Sequence, residues 1–295
     1  AQAVSNQQAG MSGHAVESRV HGVIQLATVT IPSGMDAESL QESDLMELLP
    51  VTEVPPDVLT DDILLVSLGC SCQVKATFKV LGRGAEAFPF DWNRQTLDGV
   101  IHFLDTDFED FFDVLSSIKV PLPPPGRMTA FRSHMHSFWH DDVNSEQMRK
   151  SYAKRISNCL NIDSRAHPTL FVRAVATSDE ILNVDKLATC LSNHFGEGSV
   201  LLLIVDFQDI DALGACVVEG IDNLLIYFNN TKPGVAPYCD SIHIAMAWLA
   251  GQEVSVSVVA TLGDAFEIAK PTAWGLVGTS GISAFESIGI TNLDI

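Results

Sequence analysis

Residues 200–207 read Val-Leu-Leu-Leu-Ile-Val-Asp-Phe. This run is of strand length and shows no apolar–polar alternation. A strand of that kind needs cover on both faces, as in a parallel sheet layered between helices. An antiparallel sheet with one wet face would instead alternate apolar and polar residues. Three more short apolar runs occupy 63–68, 169–175 and 224–228. Helix-like stretches lie between or after them at 73–81, 96–104, 107–115, 145–160, 178–194 and 240–249. Ser145 is placed to cap the helix it opens. Ser178 opens another with Asp179 and Glu180 in its first turn, where the helix dipole favours acids. Strands alternating with helices predict an α/β fold, a mostly parallel sheet flanked by helices in three layers.

The alternation covers 61–253, the expected core domain. Residues 1–60 hold Gln, Ser and Ala, then an acidic run and Pro55-Pro56. They read as an irregular, flexible acidic arm, with a short helix at 37–49 as the alternative. Residues 254–295 read as a C-terminal extension, with Val254-Ser255-Val256-Ser257-Val258 expected as an edge strand.

The chain carries 37 acidic and 17 basic residues among 295, a formal net charge of -20. That balance excludes a phosphate-binding surface, so nucleic acid is not expected as a partner. It also disfavours an anionic membrane surface. No apolar run approaches the roughly 18 residues of a membrane span. The six cysteines lack paired zinc-ribbon spacing, and several sit among apolar neighbours. They predict a reducing compartment, the cytoplasm favoured. Nothing in the sequence calls for a metal or organic cofactor. The acidic arm is the expected contact for any protein partner.

In an open parallel sheet, ligands bind where the strands end. Those ends are Gly69-Cys70-Ser71-Cys72, Arg173 and Asp206. Cys72 falls where a strand hands over to a helix, and a helix start stabilises a thiolate. Cys72 is therefore a candidate nucleophile, and Cys70 is expected to pack beneath the turn. The competing reading is a small buried residue at a tight turn.

Histidines crowd the segment Arg132-Ser133-His134-Met135-His136-Ser137-Phe138-Trp139-His140-Asp141-Asp142. If it is extended, His134, His136 and His140 share a face. Three readings stay open: His140 as general base for Cys72, a metal site built from the histidines and an Asp, or solvated loop histidines beside a core Phe138-Trp139. Asp91, between Phe90 and Trp92, reads first as a buried, hydrogen-bonded carboxylate. The stretch Asp107 to Asp113 reads as an amphipathic helix with an acidic outer face.

Several blocks occur in one order: Ser67-Leu68-Gly69-x-x-Cys72, Pro89-Phe90-Asp91-Trp92, Asp107-Phe108-x-x-Phe111, Phe138-Trp139-His140-Asp141 and Leu170-Phe171-Val172-Arg173. Together they resemble a family described as "putative papain-like cysteine peptidases". The resemblance implies a Cys–His hydrolase, with Cys72 matching the family cysteine and His140 its histidine. Papain-type enzymes separate a helical half from a β half, whereas the alternation here predicts a layered α/β fold.

The expected reaction is hydrolysis of an amide or ester bond in a peptide or small-molecule substrate. Cys72 attacks, His140 moves the proton, and Asp206 orients the imidazole, with Asp141 and Asp91 behind it. Arg173 would hold an anionic or carbonyl group of the substrate. The alternatives are a non-catalytic module binding a glycan or other small ligand through Arg173, Asp91 and Trp92, and a scaffold subunit.

Overall fold

A computed structural model describes residues 61–121, 127–208, 214–230 and 237–271. The arm at 1–60 and the end of the C-terminal extension lie outside the described residues. In sheet A the strand order is β1 (Leu64–Ser67), β6 (Thr169–Ala174), β7 (Ser199–Val205), β9 (Leu224–Phe228), β8 (Ala215–Val218) and β10 (Ser257–Val259). The first four are parallel neighbours. β8 runs antiparallel to β9, and β10 runs parallel to β8. The expected α/β sheet is thus present and largely parallel. The valine-rich stretch after residue 253 reaches it as edge strand β10.

The two faces of sheet A carry separate cores, as unbroken apolar strands require. Along β7, Leu201, Leu203 and Val205 point to one face, and Val200, Leu202 and Ile204 to the other. The second face is covered by α1 (Cys72–Val80) through Val74 and Phe78, and by α5 (Cys239–Leu249) through Ile242 and Ala245. The first face takes α2 (Leu97–Asp105), α4 (Val184–Phe195) and α6 (Leu262–Ile268). Each fully buried Leu, Val or Phe contributes about 1.5–3 kcal/mol.

A second sheet was not legible in the sequence. It is antiparallel, in the order β2 (Asn93–Gln95), β5 (His136–Phe138), β4 (Arg127–Arg132) and β3 (Ser116–Pro121). It joins the first core through Phe138, next to Tyr152 of α3 (Glu146–Leu160).

Two elements depart from expectation. No helix forms at 107–115. After α2 the backbone turns left-handed at Asp107, Phe108 and Asp110, with φ of 51°, 64° and 58°. The Phe108 N–H instead closes on the Phe103 carbonyl at 2.7 Å. These turns aim both Phe108 and Phe111 into the core, where they pack with Phe90 and Phe103. The helix expected at 178–194 begins as a 3-10 helix, Ser178–Asn183, before α4 takes over.

A candidate active site at the end of strand β1

The carboxyl end of β1 turns sharply into α1. Gly69 takes φ +71°, and a Cβ there would sit 2.3 Å from the Gln95 side-chain nitrogen. Glycine is needed both for the backbone angle and for this approach. The Gln95 amide donates to the Leu68 carbonyl, tying the end of β2 to the turn. Ser71 caps α1, its Oγ accepting from the Gln73 N–H at 3.2 Å. Cys72 is then the first residue of α1, where backbone N–H groups have no partner within the helix.

The two neighbouring cysteines are placed differently. Cys70 is fully buried against Ala176, and burial pushes its thiol up to about 11 despite Arg173 and Arg94 nearby. It stays a neutral thiol under the turn, and Cys72 is the partly exposed one. Two groups act on Cys72. Arg94 of β2 lies within electrostatic reach of both cysteines. Burial pulls the Arg94 guanidinium down from its usual value, a thiolate at either cysteine would oppose that shift, and the group stacks 4.0 Å over the Trp139 ring. Tyr238 interacts with both Ser71 and Cys72.

Asp206, just past β7, is fully buried. Its Oδ2 accepts from the Tyr238 hydroxyl at 2.5 Å and its Oδ1 from the Asn229 amide at 3.1 Å. Burial, with the Asp206 charge beside it, holds Tyr238 well above the ordinary phenol range. The phenol therefore remains a hydrogen-bond donor. Asp206, Tyr238 and Ser71 form a chain from the end of β7 to the start of α1.

Arg173 reaches this rim from beneath. It lies on the first-core face of β6, two residues after Phe171, and has no exposure. Its guanidinium donates to both Glu180 carboxylate oxygens at 2.6 and 2.8 Å, to the Leu68 carbonyl at 3.0 Å and to the Gln95 carbonyl at 3.0 Å. Burial works against the charge, but the Glu180 carboxylate outweighs it and the group is held above its usual value. Arg173 thus clamps β1, β2 and the 3-10 helix together.

Asp91 is likewise committed. It is fully buried, 3.1 Å from Lys75 Nζ, and accepts from the Phe88 N–H at 2.9 Å. Burial raises its carboxyl above the usual range against the pull of Lys75. Asp141 accepts from the Tyr152 hydroxyl at 2.9 Å.

The histidine segment is not one extended face. The chain bends after β4, and His136 turns into the core with 1% exposure while His134 and His140 are exposed. His136 Nε2 donates to the Phe111 carbonyl at 2.7 Å, and its Nδ1 pairs with the Ser133 hydroxyl at 2.5 Å. With both nitrogens engaged it offers no ligand to a metal shared with His134 and His140. His140 meets the Trp92 ring edge-on at 6.1 Å, and Lys79 lies 4.9 Å over the same ring. Lys79 stands in the last turn of α1, seven residues from Cys72 and about 10 Å along the helix.

Fold and rim together define an α/β protein with a cysteine at a strand-to-helix turn. Residues 63–202 match the model of a family described as "Putative papain-like cysteine peptidase (DUF1796)". The resemblance carried by the blocks from Ser67 to Arg173 is to that family, and the match takes in Cys72, Arg94, His140 and Glu180. Asp206 and Tyr238 lie beyond it. No curated protein and no solved structure matches the chain. Among the described residues, no helix is long and apolar enough to cross a membrane.

Arg94, Glu180 and Tyr238 are the groups that sequence reading missed. Arg94 is two residues past Trp92 in the Phe-Asp-Trp block, but nothing in its spacing pairs it with Cys72. Glu180 reads in sequence as a first-turn acid of a helix, not as the partner of a buried arginine.

Proposed function

We propose that the chain is a thiol hydrolase acting on an amide or ester bond, with Cys72 as the nucleophile. The observation that carries this reading is the position of Cys72 as the first residue of α1, with the Arg94 guanidinium within electrostatic reach of it. A helix start and a nearby cation both favour the thiolate over the thiol. Cys72 attacks the substrate carbonyl, and the positive end of the α1 dipole stabilises the developing oxyanion. His140, the histidine that the family resemblance assigns, moves the proton to the leaving group; its ring stands against Trp92, beside Lys79. Asp206 works through Tyr238 to position the start of α1. Arg173 and Glu180 fix the turn from below, and neither touches substrate.

The test is turnover of a panel of p-nitrophenyl esters and peptide anilides. Cys72→Ala abolishes hydrolysis, and His140→Ala lowers kcat by about 10²–10⁴-fold, the usual range for one general acid–base group. Hydrolysis that survives in purified Cys72→Ala contradicts the reading.

A second reading, a binding module without turnover, is favoured by the patch of Lys79, Trp92 and His140. A half-buried indole flanked by a lysine ammonium and an imidazole suits a planar or anionic ligand. It predicts ligand binding that is lost in Trp92→Ala and indifferent to Cys72→Ala.

A further inference from the structure

A separate group of side chains lies where the end of α2 meets α4. Asp105 is the last residue of α2. Cys190 and His194 stand four residues apart on α4 and so share one helix face. His194 Nε2 is 2.9 Å from Asp105 Oδ1, and Cys190 Sγ is 3.7 Å from the same oxygen. The sulfur, the imidazole nitrogen and the carboxylate oxygen all lie within 4.8 Å of one another. Neither the nucleophile nor the rim uses them.

We propose that Asp105, Cys190 and His194 form a binding site for a divalent transition metal of the zinc type. One thiolate, one imidazole and one carboxylate form a donor set that suits a borderline-soft ion and does not suit Ca²⁺ or Mg²⁺. Metal–ligand lengths of about 2.0–2.3 Å place tetrahedral donors within about 3.3–3.8 Å of one another. The Asp105–Cys190 spacing is within that range and the Asp105–His194 spacing falls short of it, so small side-chain movements bring the three to it. The side chains of His194 and Asp105 are 30% and 58% exposed, so water can take the fourth position.

The proton balance is simple. Without metal, the Cys190 S–H and the His194 Nε2–H both point at Asp105. On binding, Cys190 loses its thiol proton to solvent, the single proton of the neutral His194 ring moves from Nε2 to Nδ1 as Nε2 takes the metal, and Asp105 binds as its carboxylate. One proton is released per metal bound.

The site would also hold the framework of the rim. At its start, α2 is tied to the 3-10 helix, the Leu97 N–H donating to Glu180 at 3.2 Å. At its end, α2 is tied to α4 through Asp105. A metal there locks the second tie and leaves α2, which follows Arg94 and Gln95, fixed at both ends.

The test is titration of the full chain with Co²⁺, watching for thiolate-to-cobalt charge transfer in the near ultraviolet and tetrahedral d–d bands in the visible. With a net charge of -20 the surface attracts cations in general. Those carboxylate sites give no thiolate band, so the spectrum separates the two. The expected result is one equivalent of Co²⁺ with the thiolate band, displaced by Zn²⁺, in wild type and in Cys72→Ser alike. Cys190→Ser abolishes the band, and His194→Gln weakens binding about tenfold or more, since even an outer partner of a ligand is worth that much. Zn²⁺ also raises the melting temperature of wild type and not of Cys190→Ser, whose metal-free melting curve reports whether it is folded. No thiolate band in wild type, or a band that disappears in Cys72→Ser and persists in Cys190→Ser, overturns the proposal.

Discussion

The Arg173 guanidinium grips the Glu180 carboxylate through two hydrogen bonds of 2.6 and 2.8 Å, with Arg173 wholly inside the protein. Both partners are spoken for. The same guanidinium spans the ends of β1 and β2, so this pair sets where the Gly69–Cys72 turn sits. An arginine held this way is a positioning residue.

Removing one partner leaves the other charge buried and unpaired. Glu180→Ala should therefore cost about 3–5 kcal/mol, read from urea unfolding. Replacing both residues with apolar ones of similar volume should cost less than the two single changes added together. If Arg173 bound substrate instead, Arg173→Lys would leave unfolding unchanged and raise KM.

Gly69→Ala tests the turn. The new Cβ would lie 2.3 Å from Gln95, on a backbone at φ +71°. The left-handed angle alone costs about 1–2 kcal/mol, and displacing Gln95 breaks its bond to Leu68. The expected outcome is a lower urea midpoint together with slower Cys72 alkylation, since the turn and the start of α1 move together.

Tyr238→Phe removes the hydroxyl that donates to Asp206. A buried carboxylate then loses a donor, at a cost of about 1–3 kcal/mol by urea unfolding. Because Tyr238 also holds Ser71, the variant should slow Cys72 alkylation as well. A fully stable and fully reactive variant would remove the Asp206–Tyr238–Ser71 chain from the account.

His136 gives the protein an acid limit. Burial lowers its imidazole from 6.5 to about 4 in the folded state. Between those values the unfolded chain binds the extra proton and the folded chain does not. Stability should therefore fall as the pH drops from 6.5 towards 4, by up to about 3 kcal/mol from this residue. Urea midpoints across that window check it, and His136→Asn should flatten the slope.

The parallel core was legible because strands buried on both faces must be apolar throughout, as Val200 to Val205 are. Cys72 was legible because a glycine separates its strand from its helix. The second sheet was hidden: β2 and β5 are three residues long, and β2 is the polar Asn93-Arg94-Gln95. The stretch from Asp107 looked helical because its phenylalanines and acids alternate plausibly. Core packing of Phe108 and Phe111 against Phe103 and Phe90 overrode that pattern. Arg94 and Tyr238 were missed because each acts on a residue distant in the chain, and Glu180 because its seven-residue separation from Arg173 crosses from a strand to a 3-10 helix, where no single periodicity pairs the two.

The central claim is that Arg94 and the start of α1 make Cys72 a nucleophile. The most direct measurement is the rate of Cys72 alkylation by iodoacetamide against pH, followed by peptide mass spectrometry, in wild type, Arg94→Gln and His140→Ala. The account predicts that wild-type Cys72 reacts at near its full rate below the pH of about 8.5 at which a free thiol ionises. Arg94→Gln should shift that profile upward, and His140→Ala should impair turnover more than alkylation. A Cys72 that titrates as a free thiol, identically in wild type and Arg94→Gln, would contradict it.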